Sequence, residues 1–409
     1  MYFLYNLIVL LLTPLWLILL KQKQKEYLKL KERLGFAPIS KESPVWIHAV
    51  SLGEVKLAIR LANILISKGY NIFMTSSTKA GLMQLEKQGF AHAAFPIDLA
   101  LFQKIALSRI KPAAAVFVET EIWPSLLNCL KKNGIPSFIA NGRLSDKRLS
   151  KYLTFKNFFK SALSGCWISA SSEENADRFI SLGLDPARVV SQTNLKFDIA
   201  VRQEAPEGET LNQLSEFIPG EPPPVWIGGS IREGEEEIIL SVHSALKNKI
   251  NTVRLIIAPR HLERVGKILE ICWDQGFKPK LRTEFPEKEW DVLILDSYGE
   301  LQSAYRLADV AFIGGSLLNY GGQNPLEPAG SGTSMIFGPH MENFQEEAKA
   351  LLEGGAAIKV EDNEQLTRKL TGLLTDNEMR ENMKRNALKI IDNSSGSTAR
   401  TVDWIVEKM

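Results

Sequence analysis

Glu54 ends the run Val45-Trp46-Ile47-His48-Ala49-Val50-Ser51-Leu52-Gly53-Glu54. The apolar part reads as a buried strand. Ser51-Leu52-Gly53 turns the chain, and Glu54 opens a helix. A carboxylate at the carboxyl end of a parallel strand lies where open α/β sheets bind ligands. The competing reading is a first-turn glutamate that complements the helix dipole. Other charged residues pose the same choice. Glu121 and Lys196 sit beside apolar neighbours, Ile122 and Trp123 in one case, Leu195 and Phe197 in the other. Burying such groups is costly unless they are paired. They either form a structural ion pair or line a charged cleft. Arg260, in Ala258-Pro259-Arg260-His261, is a phosphate clamp or a solvated arginine at a helix start. Guanidinium matches phosphate oxygens in bidentate fashion.

Gly321-Gly322-Gln323-Asn324-Pro325-Leu326-Glu327-Pro328 is the most specific segment. Asn324 suits an N-cap, Pro325 the first helical position and Glu327 a capping-box carboxylate. That reading leaves Gly314-Gly315-Ser316 and Gly321-Gly322 unexplained. Glycines let a ligand approach the backbone, and a helix N-terminus favours phosphate. A capping carboxylate can also receive ribose hydroxyls, so both readings can hold.

The elements that position these groups alternate. Strands are expected at 45–50, 71–75, 113–118, 135–140, 166–170 and 189–191, then at 225–228, 254–258, 292–295, 310–313 and 334–337, with helical stretches between them. Alternation argues for βαβ units and parallel sheets. The polar clusters fall after the strands. They include Glu119-Thr120-Glu121-Ile122-Trp123-Pro124, Asn141-Gly142-Arg143-Leu144-Ser145, Asn194-Leu195-Lys196-Phe197-Asp198, Gly228-Gly229-Ser230 and Asp296-Ser297-Tyr298-Gly299-Glu300. Each alone is an ordinary loop; their recurrence is not. The fold class expected is α/β, with two Rossmann-like domains facing a cleft and an N-terminal membrane-anchor helix.

At 409 residues the chain exceeds one ordinary core. A net charge of +2 gives no global field for nucleic acid. Cys129, Cys166 and Cys272 lack CxxC spacing, which argues against a disulfide framework or a structural zinc. Residues 1–20 carry no charge and are almost wholly apolar. Roughly 20 such residues are enough to span a bilayer. There is no positive n-region and no small-residue cleavage site, so a signal peptide is disfavoured. Lys21, Lys23, Lys25, Lys29, Lys31 and Arg33 follow. They set a cytoplasmic orientation and either lie against anionic headgroups or act only as topological signals. The expected divisions are an anchor at 1–20, a basic juxtamembrane segment at 21–34, a domain at 35–205, a linker at 206–224, a second domain at 225–390 and a C-terminal helix at 391–409.

Taken in order, these motifs resemble those of 3-deoxy-D-manno-octulosonic acid (Kdo) transferases over essentially the whole chain. The resemblance implies the glycosyltransferase-B fold and inverting transfer of Kdo from CMP-Kdo to a glucosamine hydroxyl of the lipid A precursor, lipid IVA, at the bacterial inner membrane. It makes 35–205 the acceptor-binding domain and 225–390 the CMP-sugar domain. By it Glu54 is the general base, and Glu121 and Lys196 stabilise the transition state. Pro259, Arg260, Ser297, Tyr298, Gly299, Asn324, Pro325, Leu326 and Glu327 match CMP-binding positions, with Glu327 on the ribose. No cofactor or metal is implied. The expected partners are CMP-Kdo, the lipid A precursor and inner-membrane lipids, with no nucleic acid. The stretch 151–159, with Tyr152, Phe155, Phe158 and Phe159, reads as core packing or as contact with acyl chains. Ile231 and Arg232 depart from the usual Thr-His after Ser230, Thr193 replaces a common glycine, and Ser297 replaces a threonine. The first change puts a donor contact from that loop in question. Two alternatives stay open. One is another glycosyltransferase-B enzyme or a sugar-nucleotide 2-epimerase. The other is a membrane-tethered nucleotide-binding protein without catalysis.

Overall fold

The structure is a computed structural model that describes the chain apart from residues 25–28, 41, 203–207 and 219–222, and apart from the side chains at 17, 19–24, 199–202 and 208. The chain forms two compact units, Met1–Lys196 with Gly396–Met409, and Phe197–Ser395. Part of the expected linker, 206–224, lies outside the described residues. Its helix Gly208–Ser215 falls in the second unit, and the last helix, Ser397–Lys408, belongs to the first. There Asp403 pairs with Lys68 at 2.8 Å, and Trp404 meets Phe138 edge-on.

The first unit holds a seven-stranded sheet: β1 (Val45–Ala49), β2 (Ile72–Ser76), β3 (His92–Ala94), β4 (Ala114–Val118), β5 (Ser137–Gly142), β6 (Cys166–Ala170) and β7 (Val189–Ser191). Its order is β3-β2-β1-β4-β5-β6-β7, and all pairs are parallel. The second unit repeats the plan with β8 (Val225–Ile231), β9 (Arg254–Pro259), β10 (Pro279–Leu281), β11 (Val292–Ile294), β12 (Val310–Ile313), β13 (Ser334–Phe337) and β14 (Ala357–Lys359), in the order β10-β11-β9-β8-β12-β13-β14. Helices cover both faces of a parallel sheet, so its central strands are near-continuous apolar runs. β1 and β4 are buried at every position.

Strand order reverses between β1 and β4, and again between β8 and β12. Loops diverge at such a switch point and leave a crevice at the strand carboxyl ends. Three non-glycine residues take left-handed backbone at strand carboxyl ends: Glu119 (φ 60°), Asn141 (φ 60°) and Ser230 (φ 55°). The register slips at two of them, between Ala140 and Gly142 and between Gly229 and Ile231. A bulge of this kind re-aims the chain beside a site, and the strained backbone persists only where its surroundings impose it.

The N-terminal helix spans Tyr2–Gln24. Among the described residues no helix is long and apolar enough to cross a membrane, so the expected spanning anchor over 1–20 is not found there. The helix instead lies on the first unit with its polar side inward. Tyr5 Oη donates to Asp98 at 2.9 Å, and Asn6 Oδ1 accepts from the Ala100 N–H at 2.7 Å. Tyr2 and Tyr5 pack on Phe158 at 5.5 and 5.7 Å. Phe3, Leu4, Leu7, Ile8, Leu11 and Leu15 face outward and are exposed. Of the expected basic segment, 25–28 and the side chains of 21–24 lie outside the described residues. Arg33 is corrected: it is buried at 1 % exposure and donates to Ser77 O at 2.9 Å, so it faces no headgroup.

Gly314, just after β12, is required by close packing. A Cβ there would stand 2.3 Å from Ser230 O. Gly314→Ala is expected to cost about 1–3 kcal/mol, the usual penalty of overpacking, as a lower urea midpoint of the second unit's unfolding.

Candidate active site

In the first unit, Ser51 caps the helix Leu52–Ser67 by accepting from the Glu54 N–H at 3.3 Å. The Glu54 carboxylate turns back, taking the Val50 N–H at 2.8 Å and the Ser51 hydroxyl at 2.8 Å. The capping reading therefore holds for Glu54. It also fixes the carboxylate at the carboxyl end of β1. Burial raises the Glu54 pKa above the usual carboxylate range, against the opposing hydrogen bonds and with the charge of Glu119 adding to the rise.

Glu119 and Glu121 follow β4, the strand beside β1 across the order reversal. Burial first, then the neighbouring charge of Glu54, pushes the Glu121 carboxyl up to about 7. Lys196 Nζ lies 2.9 Å from Glu119 Oε1, with both side chains about one-fifth exposed (22 % and 23 %). Lys196 is held there by two asparagines. Asn141 Oδ1 accepts from the Leu195 N–H at 3.0 Å, and Asn194 Oδ1 accepts from the Lys196 N–H at 3.0 Å. Thr120 ties the β4 loop to the β5 loop by accepting from the Arg143 N–H at 2.6 Å. The result is a cluster of three carboxylates at the ends of the neighbouring strands β1 and β4, with Lys196 reaching Glu119 from the segment after β7. A carboxylate poised near neutral pH can move a proton, and a lysine paired with the neighbouring Glu119 can offset developing negative charge.

In the second unit, the donor candidates also lie at strand carboxyl ends. Pro259 ends β9, and the exposed Arg260 gives its N–H to Ile231 O at 2.9 Å. Ser297, Tyr298 and Gly299 follow β11. Ser297 Oγ bonds Glu300, Tyr298 is 69 % exposed and Gly299 has φ 95°. Asn324 Oδ1 accepts from the Leu326 N–H at 3.1 Å, and Asn324 Nδ2 donates to Glu327 at 3.2 Å. The helix here is short, Leu326–Ser331, and Pro325 occupies its cap position, one residue later than expected. β11, β9, β8 and β12 are successive neighbours, so these groups share one sheet edge. The departing residues Ile231 and Arg232 have structural roles. Ile231 is buried, and the Arg232 guanidinium lies 4.7 Å from the Tyr320 ring centroid.

Two residues that organise these sites escaped the sequence reading. Glu119 forms an ion pair with Lys196. Glu235 is fully buried and accepts from the N–H groups of Arg232, Gly315 and Leu317 at 3.0, 2.6 and 3.1 Å. It thereby joins the β8 turn to the glycine loop after β12. Among the described residues no group of three or more metal-ligating side chains could hold an ion.

A family model described as 3-Deoxy-D-manno-octulosonic-acid transferase (kdotransferase) matches residues 28–199. A 3-deoxy-D-manno-octulosonic acid transferase of Haemophilus influenzae is 31% identical over 98% of this chain and 97% of its own length. One from Bordetella pertussis is 30% identical over 90% and 88%. This chain belongs to the Kdo transferase family. Solved structures agree on the fold. A glycosyltransferase from Rickettsia africae superposes with TM-score 0.63 at 14% identity, covering 90% of this chain and 99% of that one. A UDP-GlcNAc 2-epimerase from Neisseria meningitidis gives 0.62 at 13%, covering 89% and 100%. At such identities the likeness concerns fold alone. It does not separate a transferase from an epimerase; the sequence relatives do.

For a Kdo transferase with this carboxylate cluster, ionising Glu121 beside Glu54 raises the proton affinity of Glu54. The rate of transfer is expected to climb between about pH 6 and 8. Glu121→Gln stays neutral and should lose that climb in a pH–rate profile, while Glu54 still titrates at lower pH.

Proposed function

We propose that the chain transfers Kdo from CMP-Kdo to a glucosamine hydroxyl of the lipid A precursor, lipid IVA, with inversion, as a step in lipopolysaccharide core biosynthesis. The observation that carries this reading is the Glu54, Glu119, Glu121 and Lys196 cluster at the β1/β4 order reversal. Glu54 takes the proton of the acceptor hydroxyl. The hydroxyl oxygen attacks the anomeric carbon as the bond to the CMP phosphate breaks. Lys196, oriented by Glu119, offsets the negative charge of the Kdo carboxylate and the departing phosphate. Glu121 tunes Glu54 through its own charge. This reading makes Glu119 the partner of Lys196 in the role first expected of Glu121.

Pro259, Arg260, Ser297, Tyr298, Gly299, Asn324, Pro325, Leu326 and Glu327 are assigned to CMP. Arg260 meets the phosphate and Glu327 the ribose. The glycine-rich backbone after β12 lets the nucleotide approach closely. No metal or cofactor is required by this scheme. The N-terminal helix, with apolar residues outward, holds the enzyme at the cytoplasmic face of the inner membrane. Its hydrogen bonds to the first unit through Tyr5 and Asn6 favour a helix lying in the interface over one crossing the bilayer.

The test is product mass spectrometry with CMP-Kdo, generated in place, and tetra-acylated lipid A precursor. The wild type should add one or more Kdo units. Glu54→Ala should lower transfer by about 10²–10⁴-fold, the usual worth of a general base, with CMP affinity unchanged. Wild-type rate in Glu54→Ala would remove the base assignment. Lys196→Ala should cost about 10²–10³-fold in kcat, as for loss of one transition-state contact, with little change in CMP affinity.

A further inference from the structure

The turn after β8 carries an arginine that the scheme above does not use. Arg232 follows Ile231, and Ile231 is in register with Pro259 on β9. Arg232 and the assigned phosphate ligand Arg260 therefore leave two neighbouring parallel strands at the same level. Such strands lie about 4.8 Å apart. On its other side the Arg232 stem packs on the glycine loop after β12. A Cβ on Gly315 would stand 3.2 Å from Arg232 Cγ and 3.4 Å from the Gln323 amide nitrogen. Arg232 is thus placed between Arg260 and the segment that begins at Asn324, at the order reversal of the second sheet.

The face of its guanidinium is stacked on Tyr320, at 4.7 Å from the ring centroid. That stack fixes the plane and uses no N–H, because the donors of the fork lie in the plane. Nη1 lies 3.0 Å from His261 Nε2. An arginine N–H only donates, so the imidazole accepts and pins one corner of the fork. Among the described residues Nε and Nη2 meet no acceptor. No carboxylate balances the charge either. Glu233 and Glu236 pair with Arg264 at 3.1 and 2.7 Å, and Glu235 takes backbone N–H groups. Arg232 is therefore a partly buried, well-supported cation with one open donor edge. That edge has the shape that takes a carboxylate or a phosphate in bidentate fashion.

We propose that Arg232 reads the carboxylate of the donor sugar, leaving the phosphate to Arg260, and so selects a sugar acid over a neutral sugar. The proposal rests on the reading of the donor as CMP-Kdo, and it adds the residue that recognises the sugar. In that donor one carbon bears both the phosphate oxygen and the carboxylate. Two anions on one carbon call for two cations side by side, and the ends of β8 and β9 present them. The Nε–Nη2 edge takes the two carboxylate oxygens while Tyr320 and His261 hold the plane. A neutral sugar nucleotide would leave that edge unpaired, and a site built to hydrogen-bond a substrate group rejects analogues that lack it.

Two measurements on the full chain test this. In the first, calorimetry compares CMP, a phosphonate-linked CMP-Kdo analogue that cannot transfer, and the carboxamide of that analogue. Wild type should bind the carboxylate about ten- to hundred-fold more tightly than the carboxamide. Arg232→Gln should lose that preference and keep wild-type affinity for CMP. Full preference in Arg232→Gln overturns the proposal. A matching loss of CMP affinity gives the guanidinium to the phosphate and overturns it as well. A wild type that binds neither CMP nor the analogues overturns the donor reading itself. The second measurement needs no variant. Phenylglyoxal labels arginine, and peptide mass spectrometry reads Arg232 and Arg260 separately. The carboxylate analogue should shield both residues, and CMP should shield Arg260 alone. Shielding of Arg232 by CMP as strongly as by the carboxylate analogue overturns the proposal, even where Arg232→Gln folds poorly.

Discussion

Everything functional in this protein depends on one topological constraint. In each sheet the chain winds one way from the central strand, then returns and winds the other way. Between β1 and β4, and between β8 and β12, no crossover covers the strand ends. The backbone groups there have no ladder to join and must be satisfied locally. Side chains do that work. Glu54 takes two donors at the first reversal, and Glu235 takes three backbone N–H groups at the second. A carboxylate serving backbone N–H groups is held rigidly, and rigidity is what a reacting or positioning group needs. The two units thus use one device, once near the proposed chemistry and once to shape a glycine loop.

The electrostatics follow from placing several acids together. Three carboxylates at neighbouring strand ends cannot all be fully charged at little cost when partly buried. Lys196 pairs with Glu119, backbone and hydroxyl donors serve Glu54, and Glu121, against the opposing charge of Arg148, has its carboxyl pushed up to about 7 by burial and by Glu54. The charge of Glu54 is one cause of the rise at Glu121, and by reciprocity an ionised Glu121 raises the proton affinity of Glu54.

Much of this was legible in the sequence, and the exceptions have physical causes. Strands read as long apolar runs are the inner ones, buried on both faces. The three that escaped notice, β3, β10 and β14, are each three residues long and lie at sheet edges. His92-Ala93-Ala94 and Pro279-Lys280-Leu281 carry no apolar run to detect. β7 is equally short and also at an edge, but its valines Val189 and Val190 gave it away. The polar clusters after the strands were visible because glycine, proline and charge gather there. Glu235 was not, since it stands in Glu233-Gly234-Glu235-Glu236-Glu237, which reads as a solvated first turn. The approach of Gly315 and Leu317 to that turn makes it a buried ligand of the backbone. Glu119 was hidden for a like reason: nothing in the sequence says which of two glutamates, two residues apart, will meet Lys196. The N-terminal helix was read by composition as a membrane span. Its few polar residues, spaced to fall on one face, are what fasten it to the first unit.

That fastening has a consequence for how the protein can be dissected. Asn6 supplies an acceptor to the Ala100 N–H at the start of the helix Ala100–Ile110, and to the Ser125 hydroxyl at 3.3 Å. Tyr5 completes the shell of Asp98, whose other bonds cap the helix Pro124–Lys132 through the Ser125 and Leu126 N–H groups. Trimming the greasy leader to obtain a more tractable fragment would therefore not simply remove a tether. It would leave the Ala100 N–H without its acceptor, remove the Tyr5 hydroxyl from the carboxylate that caps the next helix, and uncover Phe95 and Trp123. The truncated body would differ from the parent in the segment that carries Glu119 and Glu121, and its catalytic behaviour would report on the cut as much as on the enzyme.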